Sequence, residues 1–336
     1  MAPRSALVLQ GGGALGAYEL GAARRLYRDG GFAPNLIAGV SIGAVTAVLL
    51  ARPAPGFSPL GALEAFWRQV AVPGRFLPPP FRAYAAALGN PAFFMPRTDV
   101  LDMAAWTSLY DTTPLRRTLE GLVDLAALAD PAAQPGLLVT ATDVAAGEIR
   151  VFHSADGGMG LDHILASGSL PPAFPMTLVD GRPYWDGGLF DNTPLGAVLD
   201  RLGGAPGDDR IIYVVNLFPN IAPVPRTMAQ VVERVQGLQF ANKTAEDLKL
   251  LRRFDQVAAL VQALKGLGDD HPVFQDPAVA EAFAAVRDHN YVRTPNIVAI
   301  TRPEQAEGFD GADFSPEAIL ARAQEGFDQA DAALAA

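Results

Sequence analysis

Leu36-Ile37-Ala38-Gly39-Val40-Ser41-Ile42-Gly43, continuing into Ala44 to Leu50, is the stretch on which the fold of this chain turns. An apolar run meets G-x-S-x-G and passes into a second apolar run, the order of a strand, a sharp turn and a helix. In such an elbow the serine sits at a strained turn with its hydroxyl exposed, and the flanking glycines let strand and helix approach closely. Ser41 is the candidate nucleophile, with Gly39 and Gly43 as its steric support.

Upstream, the strand Ala6 to Leu9 runs into Gly11-Gly12-Gly13-Ala14-Leu15-Gly16, which opens a helix near Ala17. Three successive glycines leave their backbone N–H groups unshielded ahead of a helix N-terminus. That arrangement suits the negative oxygen that forms when a serine attacks an ester carbonyl, so Gly11, Gly12 and Gly13 are candidate oxyanion donors. The six residues also fit G-x-G-x-x-G, but a dinucleotide site needs an acid about 20 positions on, at the end of the second strand. Here the second strand leads to Val40-Ser41, and the nearest acid, Asp29, precedes it.

Downstream, Met176 to Val179 and Arg182 to Trp185 flank Asp180-Gly181, a two-residue hairpin signal. Asp186 then falls at a strand end before Gly187-Gly188, where a carboxylate can be aimed into a site. Taken alone, it would read as a turn aspartate accepting backbone N–H bonds.

The glycine loop, Gly39 to Gly43, Ala166-Ser167-Gly168-Ser169-Leu170-Pro171, and Asp186-Gly187-Gly188 with Asn192 and Pro194 occur in this order over residues 5 to 217. In this the chain resembles the patatin-like phospholipases, serine acyl hydrolases that use a Ser-Asp dyad. The resemblance implies an α/β, three-layer patatin-like fold, with a mostly parallel central sheet and helices on both faces. It implies Ser41 as nucleophile, Asp186 as general base, Gly11 to Gly13 as oxyanion donors, and an acyl-ester or lipid substrate with no cofactor. Gly39, Gly43, Gly187, Gly188 and Asn192 are its supporting motif positions. Many members carry Arg or Lys where this chain has Leu15, a difference that bears on headgroup electrostatics more than on the chemistry. From Arg226-Thr227-Met228 to Asp247 the chain is similar to a bacterial subgroup with an extra C-terminal helical region.

In the expected reaction the Ile42 N–H joins the glycine loop in holding the oxyanion. An aspartate with an ordinary pKa of about 3.9 is a weak base near neutrality, so either partial burial has to raise it or the oxyanion hole has to do most of the stabilising. The rival enzyme is an α/β-hydrolase triad in the order Ser, Asp, His, with His271 or His289 as third member. Against it, the elbow follows only one strand, and the glycine loop sits on the first strand, where that fold supplies its hole later. His153, His163, His271 and His289 read more simply as surface or hydrogen-bonded residues. Asp269-Asp270-His271, adjacent to Gly266 and Gly268, reads as a solvated loop more than as a metal site. A lipid-binding or scaffolding module is the non-enzymatic alternative, and a short-chain carboxylesterase or thioesterase the other enzymatic one.

Twenty-six Lys and Arg against 36 Asp and Glu give a net charge of −10 over 336 residues. An acidic chain is poorly suited to phosphate backbones, so nucleic acid is not an expected partner. There are no cysteines, which excludes disulfides, thiolate metal sites and a cysteine nucleophile. Met1-Ala2-Pro3-Arg4 enters the first strand at once, without a signal peptide's apolar region, so the expectation is a cytoplasmic protein with transient peripheral contact to a membrane surface. Gly31 to Ala51 is uncharged over 21 residues, close to a membrane span, but Pro34, Asn35, Gly39 and Gly43 make it strand, elbow and buried helix.

Alternating strands and helices predict a largely parallel sheet with helices on both faces, with later strands at Leu137 to Thr140, Ile149 to His153 and Ile211 to Leu217, and the resemblance implies a patatin-like catalytic domain over residues 1–217. Residues 218–336 read as mainly helical, with the strand Asn296 to Thr301 joining the sheet. Prolines and aromatics over residues 71–98, including Arg75 to Phe81 and Asn90 to Pro96, predict an irregular insertion. It is read either as a cap that covers the acyl pocket and meets lipid, with Phe93 and Phe94 as the residues whose substitution would test it, or as a loop packed on the core by its aromatics. From Met228 to Leu267 the pattern is one long helix or two in series, with Lys249, Arg252 and Arg253 on a solvated face. Ser315-Pro316-Glu317 starts a terminal helix.

Overall fold

The computed structural model describes residues 4–72, 88–202, 209–219, 221–241, 249, 256–257, 259–268, 270–287, 295–303 and 310–335. Its strands are β1 (Arg4–Leu9), β2 (Leu36–Gly39), β3 (Met95–Pro96), β4 (Tyr110–Asp111), β5 (Gly136–Asp143), β6 (Glu148–His153), β7 (Thr177–Val179), β8 (Arg182–Asp186), β9 (Arg210–Asn216) and β10 (Asn296–Thr301). Its helices are α1 (Ala17–Tyr27), α2 (Ile42–Ala51), α3 (Pro59–Gln69), α4 (Thr113–Glu120), α5 (Leu125–Ala129), α6 (Leu161–Ser167), α7 (Leu195–Arg201), α8 (Met228–Phe240), α9 (Pro277–Arg287) and α10 (Pro316–Ala335).

The main sheet runs β10-β9-β1-β2-β5-β8-β7, with β6 also paired to β5. From β10 to β5 all neighbours are parallel, and β6, β7 and β8 pair antiparallel. Period-two alternation along β1 divides the core. Leu7 and Leu9 face a cluster shared with α1, α2, α3 and α10, while Ala6 and Val8 face Leu36, Ala38, Leu138, Ile212 and Val214 under Leu195 and Val198 of α7. The result is the expected α/β sandwich of a mostly parallel sheet between helices. The sheet draws strands from both sides of residue 217, since β10 lies parallel to β9 with Asn296 opposite Ile211.

All ten residues of α2 are buried. A helix that is apolar all round belongs in an interior, which accounts for the uncharged run at 31–51. No described helix is long and apolar enough to cross a membrane.

The terminal helix lies backbone to backbone on α1. A Cβ at Gly21 would sit 1.8 Å from the Ala323 carbonyl oxygen, and one at Gly326 would sit 2.0 Å from that of Tyr18. Ser315 caps α10 by accepting from the Ala318 N–H at 3.4 Å.

Around residue 90 the rings point inward. Phe93 and Phe94 are buried in an aromatic cluster, with Phe93 centred 5.4 Å from Phe314 and Phe94 centred 5.4 Å from Phe174. Of the two readings of this insertion, burial of both rings among other aromatics is the arrangement expected of a loop packed on the core, where they gain by edge-to-face packing. Residues 73–87, with Arg75 to Phe81, lie outside the described residues, as do Asp247, Arg252, Arg253, Asp269 and His289. Thr227 and Gln230 form a reciprocal capping box at the start of α8, and extended backbone at Ala241 ends that helix.

Candidate active site

Ser41 stands between β2 and α2 with φ 56° and ψ −124°, one of two non-glycine residues of positive φ among the described residues. Such a conformation costs on the order of 1–3 kcal/mol and persists only where its surroundings enforce it. They do so by contact. A Cβ at Gly39 would meet the Gly43 carbonyl oxygen at 2.1 Å, and one at Gly43 would meet that of Leu9 at 2.4 Å. The Ser41 N–H is held by Ser167, donating to its carbonyl at 3.1 Å and to its Oγ at 3.0 Å.

Strand β5 explains why a residue 145 positions later comes to the same place. Gly39 at the end of β2 is opposite Val139, and Asp186 at the end of β8 is opposite Ala141. Because β6 occupies the other edge of β5, β2 and β8 share one edge and run toward each other, with Thr140 between their ends. A Cβ at Gly187 would lie 2.5 Å from the Thr140 carbonyl oxygen, so only glycine lets the chain turn away at that point.

Asp186 is 2% exposed. Its N–H donates to the Ser169 carbonyl at 3.0 Å, its own carbonyl accepts from Thr142 Oγ1 at 2.8 Å, and its Oδ1 accepts from the Gly188 N–H at 2.8 Å. Burial pushes the carboxyl up from 3.8 to about 7, against the opposing pull of the Ser41 hydroxyl and the Gly188 N–H. Oδ2 is buried and, among the described residues, has no hydrogen-bond partner.

The glycine loop closes the third side. A Cβ at Gly11 would lie 3.0 Å from Ser41 Cβ and 2.4 Å from Asn192 Oδ1. Asn192 ties the pieces together: its Nδ2 donates to the Gly11 carbonyl at 3.1 Å and to that of Phe240 at 3.3 Å. A Cβ at Gly12 would meet Leu217 Cδ1 at 2.8 Å, and Gly13, at φ +59°, is backed by the Gly311 carbonyl. Ile42 is the first residue of α2, where N–H groups have no intrahelical acceptor.

Sequence reasoning missed several groups that hold this arrangement. Ser167 and Ser169 lie in a stretch singled out only for its resemblance, yet they anchor the backbones of Ser41 and Asp186 respectively. Gln10, fully buried just before the loop, accepts from the Leu217 N–H at 2.6 Å and donates to Thr193 Oγ1 and the Phe240 carbonyl. Its signal was a lone amide between an apolar strand and three glycines. The groups acting on the Asp186 carboxyl include no histidine. His271 is exposed and accepts from the Val273 N–H, His163 faces Gly160, and burial lowers the pKa of both His153 and His163. Among the described residues no group of three His, Asp or Glu could hold a metal ion.

The solved structure of VipD from Legionella pneumophila aligns with a TM-score of 0.42 at 14% identity, covering 100% of this chain and 67% of that chain. No curated protein matches the sequence. The family described as patatin-like phospholipase matches residues 7–199, which take in the glycine loop, Ser41, Asp186 and Asn192. That match spans more than half of the chain, and the protein belongs to the patatin-like phospholipase family, hydrolases of lipid acyl esters.

Proposed function

We propose that this chain hydrolyses acyl esters through a Ser41–Asp186 dyad. Asp186 takes the Ser41 hydroxyl proton as Oγ attacks the ester carbonyl, and the N–H groups of Gly11 to Gly13 and Ile42 hold the oxyanion. Collapse of the tetrahedral intermediate releases the alcohol, which leaves with the proton Asp186 took. Water, deprotonated in turn by Asp186, attacks the acyl-Ser41 ester and frees the acid and the serine. The observation that carries this reading is the buried carboxyl raised to about 7 beside the hydroxyl of a strained serine, since a base near neutrality is what the task requires. The chemistry is assigned to residues 1–217, and the site of action to the cytoplasm with peripheral contact to a lipid surface.

A short-chain soluble esterase and a non-catalytic lipid-binding module are separated from this reading by one assay. Rates on nitrophenyl esters of increasing acyl length, above and below micelle formation and with Ser41→Ala as blank, are expected to rise with chain length and at the interface. Activity confined to short soluble esters would contradict the lipid substrate, and turnover unaffected by Ser41→Ala would contradict the chemistry.

A further inference from the structure

The terminal helix α10 puts a buried cation against the back of the glycine loop. Arg322 is 6% exposed, and its Nη1 donates to the Ala14 carbonyl at 3.3 Å and to the Asp313 carbonyl at 2.6 Å. The same segment abuts the loop at a second point, where Gly311 backs Gly13. The peptide that Arg322 holds is not a passive anchor. Its other end is the Leu15 N–H, which donates to the Gly12 carbonyl at 3.1 Å, and the other end of that peptide is the Gly13 N–H. Guanidinium, Ala14–Leu15 peptide and Gly12–Gly13 peptide thus form a line of hydrogen-bonded dipoles in one direction. A positive charge at its head draws electrons from each N–H along the line. In a dry site such polarisation is screened little.

We infer that Arg322 is a positioning residue for the hydrolysis, its charge transmitted through two peptide units to strengthen the Gly13 N–H as an oxyanion donor. The inference rests on the proposed acyl-ester chemistry and adds to it a role for the C-terminal helix, which lies outside the matched family region. Because the oxyanion exists only in the transition state, the effect belongs in kcat and not in KM.

The test uses the full-length chain on a soluble nitrophenyl ester, with Arg322→Met and Arg322→Gln removing the charge, Arg322→Lys keeping it, and thermal unfolding recorded for each. The neutral variants are expected to fold and to lose about tenfold in kcat at unchanged KM. That is a fraction of the roughly hundredfold or greater loss when an oxyanion donor is removed outright. Arg322→Lys is expected to regain most of the rate. A folded neutral variant with unchanged kcat, a loss expressed in KM, a Lys variant as slow as the neutral ones, or failure of both neutral variants to fold would each overturn the assignment. Absence of Ser41-dependent turnover in the unsubstituted protein is a different result, which would remove the hydrolase reading itself.

Discussion

Asp186 carries the sharpest consequences for single residues. A carboxyl with a pKa near 7 is protonated and useless as a base in acid, so kcat is expected to rise through pH 7 to a plateau, measured on a soluble ester between pH 5 and 9. The same shift opposes stability. Between the unfolded carboxylate's pKa near 4 and the folded value near 7 the native state holds a proton that the unfolded state gives up, so stability falls across that window as pH rises. Asp186→Asn, which has no charge to bury, is therefore expected to unfold at higher urea than the parent at pH 8, by on the order of a few kcal/mol, while losing activity. Glu19 poses a related problem with no catalytic return. It is fully buried on α1 and its pKa is pushed well above the ordinary range by burial, which the Thr46 hydroxyl only partly offsets. Glu19→Gln should raise Tm at pH 8, with the gain shrinking as pH falls toward 4; a gain independent of pH would contradict the account. Sequence made Ser41 and Asp186 legible because each sits in a glycine-framed turn. Gln10, Ser167 and Ser169 were not, because they act through backbone partners far along the chain.

Among the elements, the elbow and the helix pair depend most on glycine, for reasons of distance. Gly43→Ala would set a methyl 2.4 Å from the Leu9 carbonyl oxygen, forcing β1 and α2 apart. It is expected to destabilise by about 3 kcal/mol and to abolish turnover. Gly326→Ala, at 2.0 Å from the Tyr18 carbonyl oxygen, should destabilise by about 1–3 kcal/mol, read from the urea midpoint. The hairpin was readable from Asp180-Gly181, which take φ values of 50° and 77° and leave Val179 opposite Arg182. The strand order of β5 was not readable. That β2 and β8 share one of its edges is a matter of tertiary pairing, which period-two patterning does not encode.

At the scale of the molecule, the glycine loop, the elbow and Asp186 converge because five parallel strands present their C-terminal ends together and an antiparallel strand, β8, meets them from the opposite direction. The C-terminal region shares in this: β10 extends the sheet, α10 covers α1, and the Phe240 carbonyl at the end of α8 accepts from both Gln10 and Asn192. Apolar periodicity predicted helices in that region but not their destination, since it marks an apolar face without naming its partner. The central claim, that Ser41 carries the acyl group, is tested most directly by quenching turnover of a nitrophenyl ester and mapping the adduct by peptide mass spectrometry. The expected result is an acyl group on the peptide containing Ser41, absent in Ser41→Ala. An adduct on another residue, or equal hydrolysis by Ser41→Ala, would contradict it.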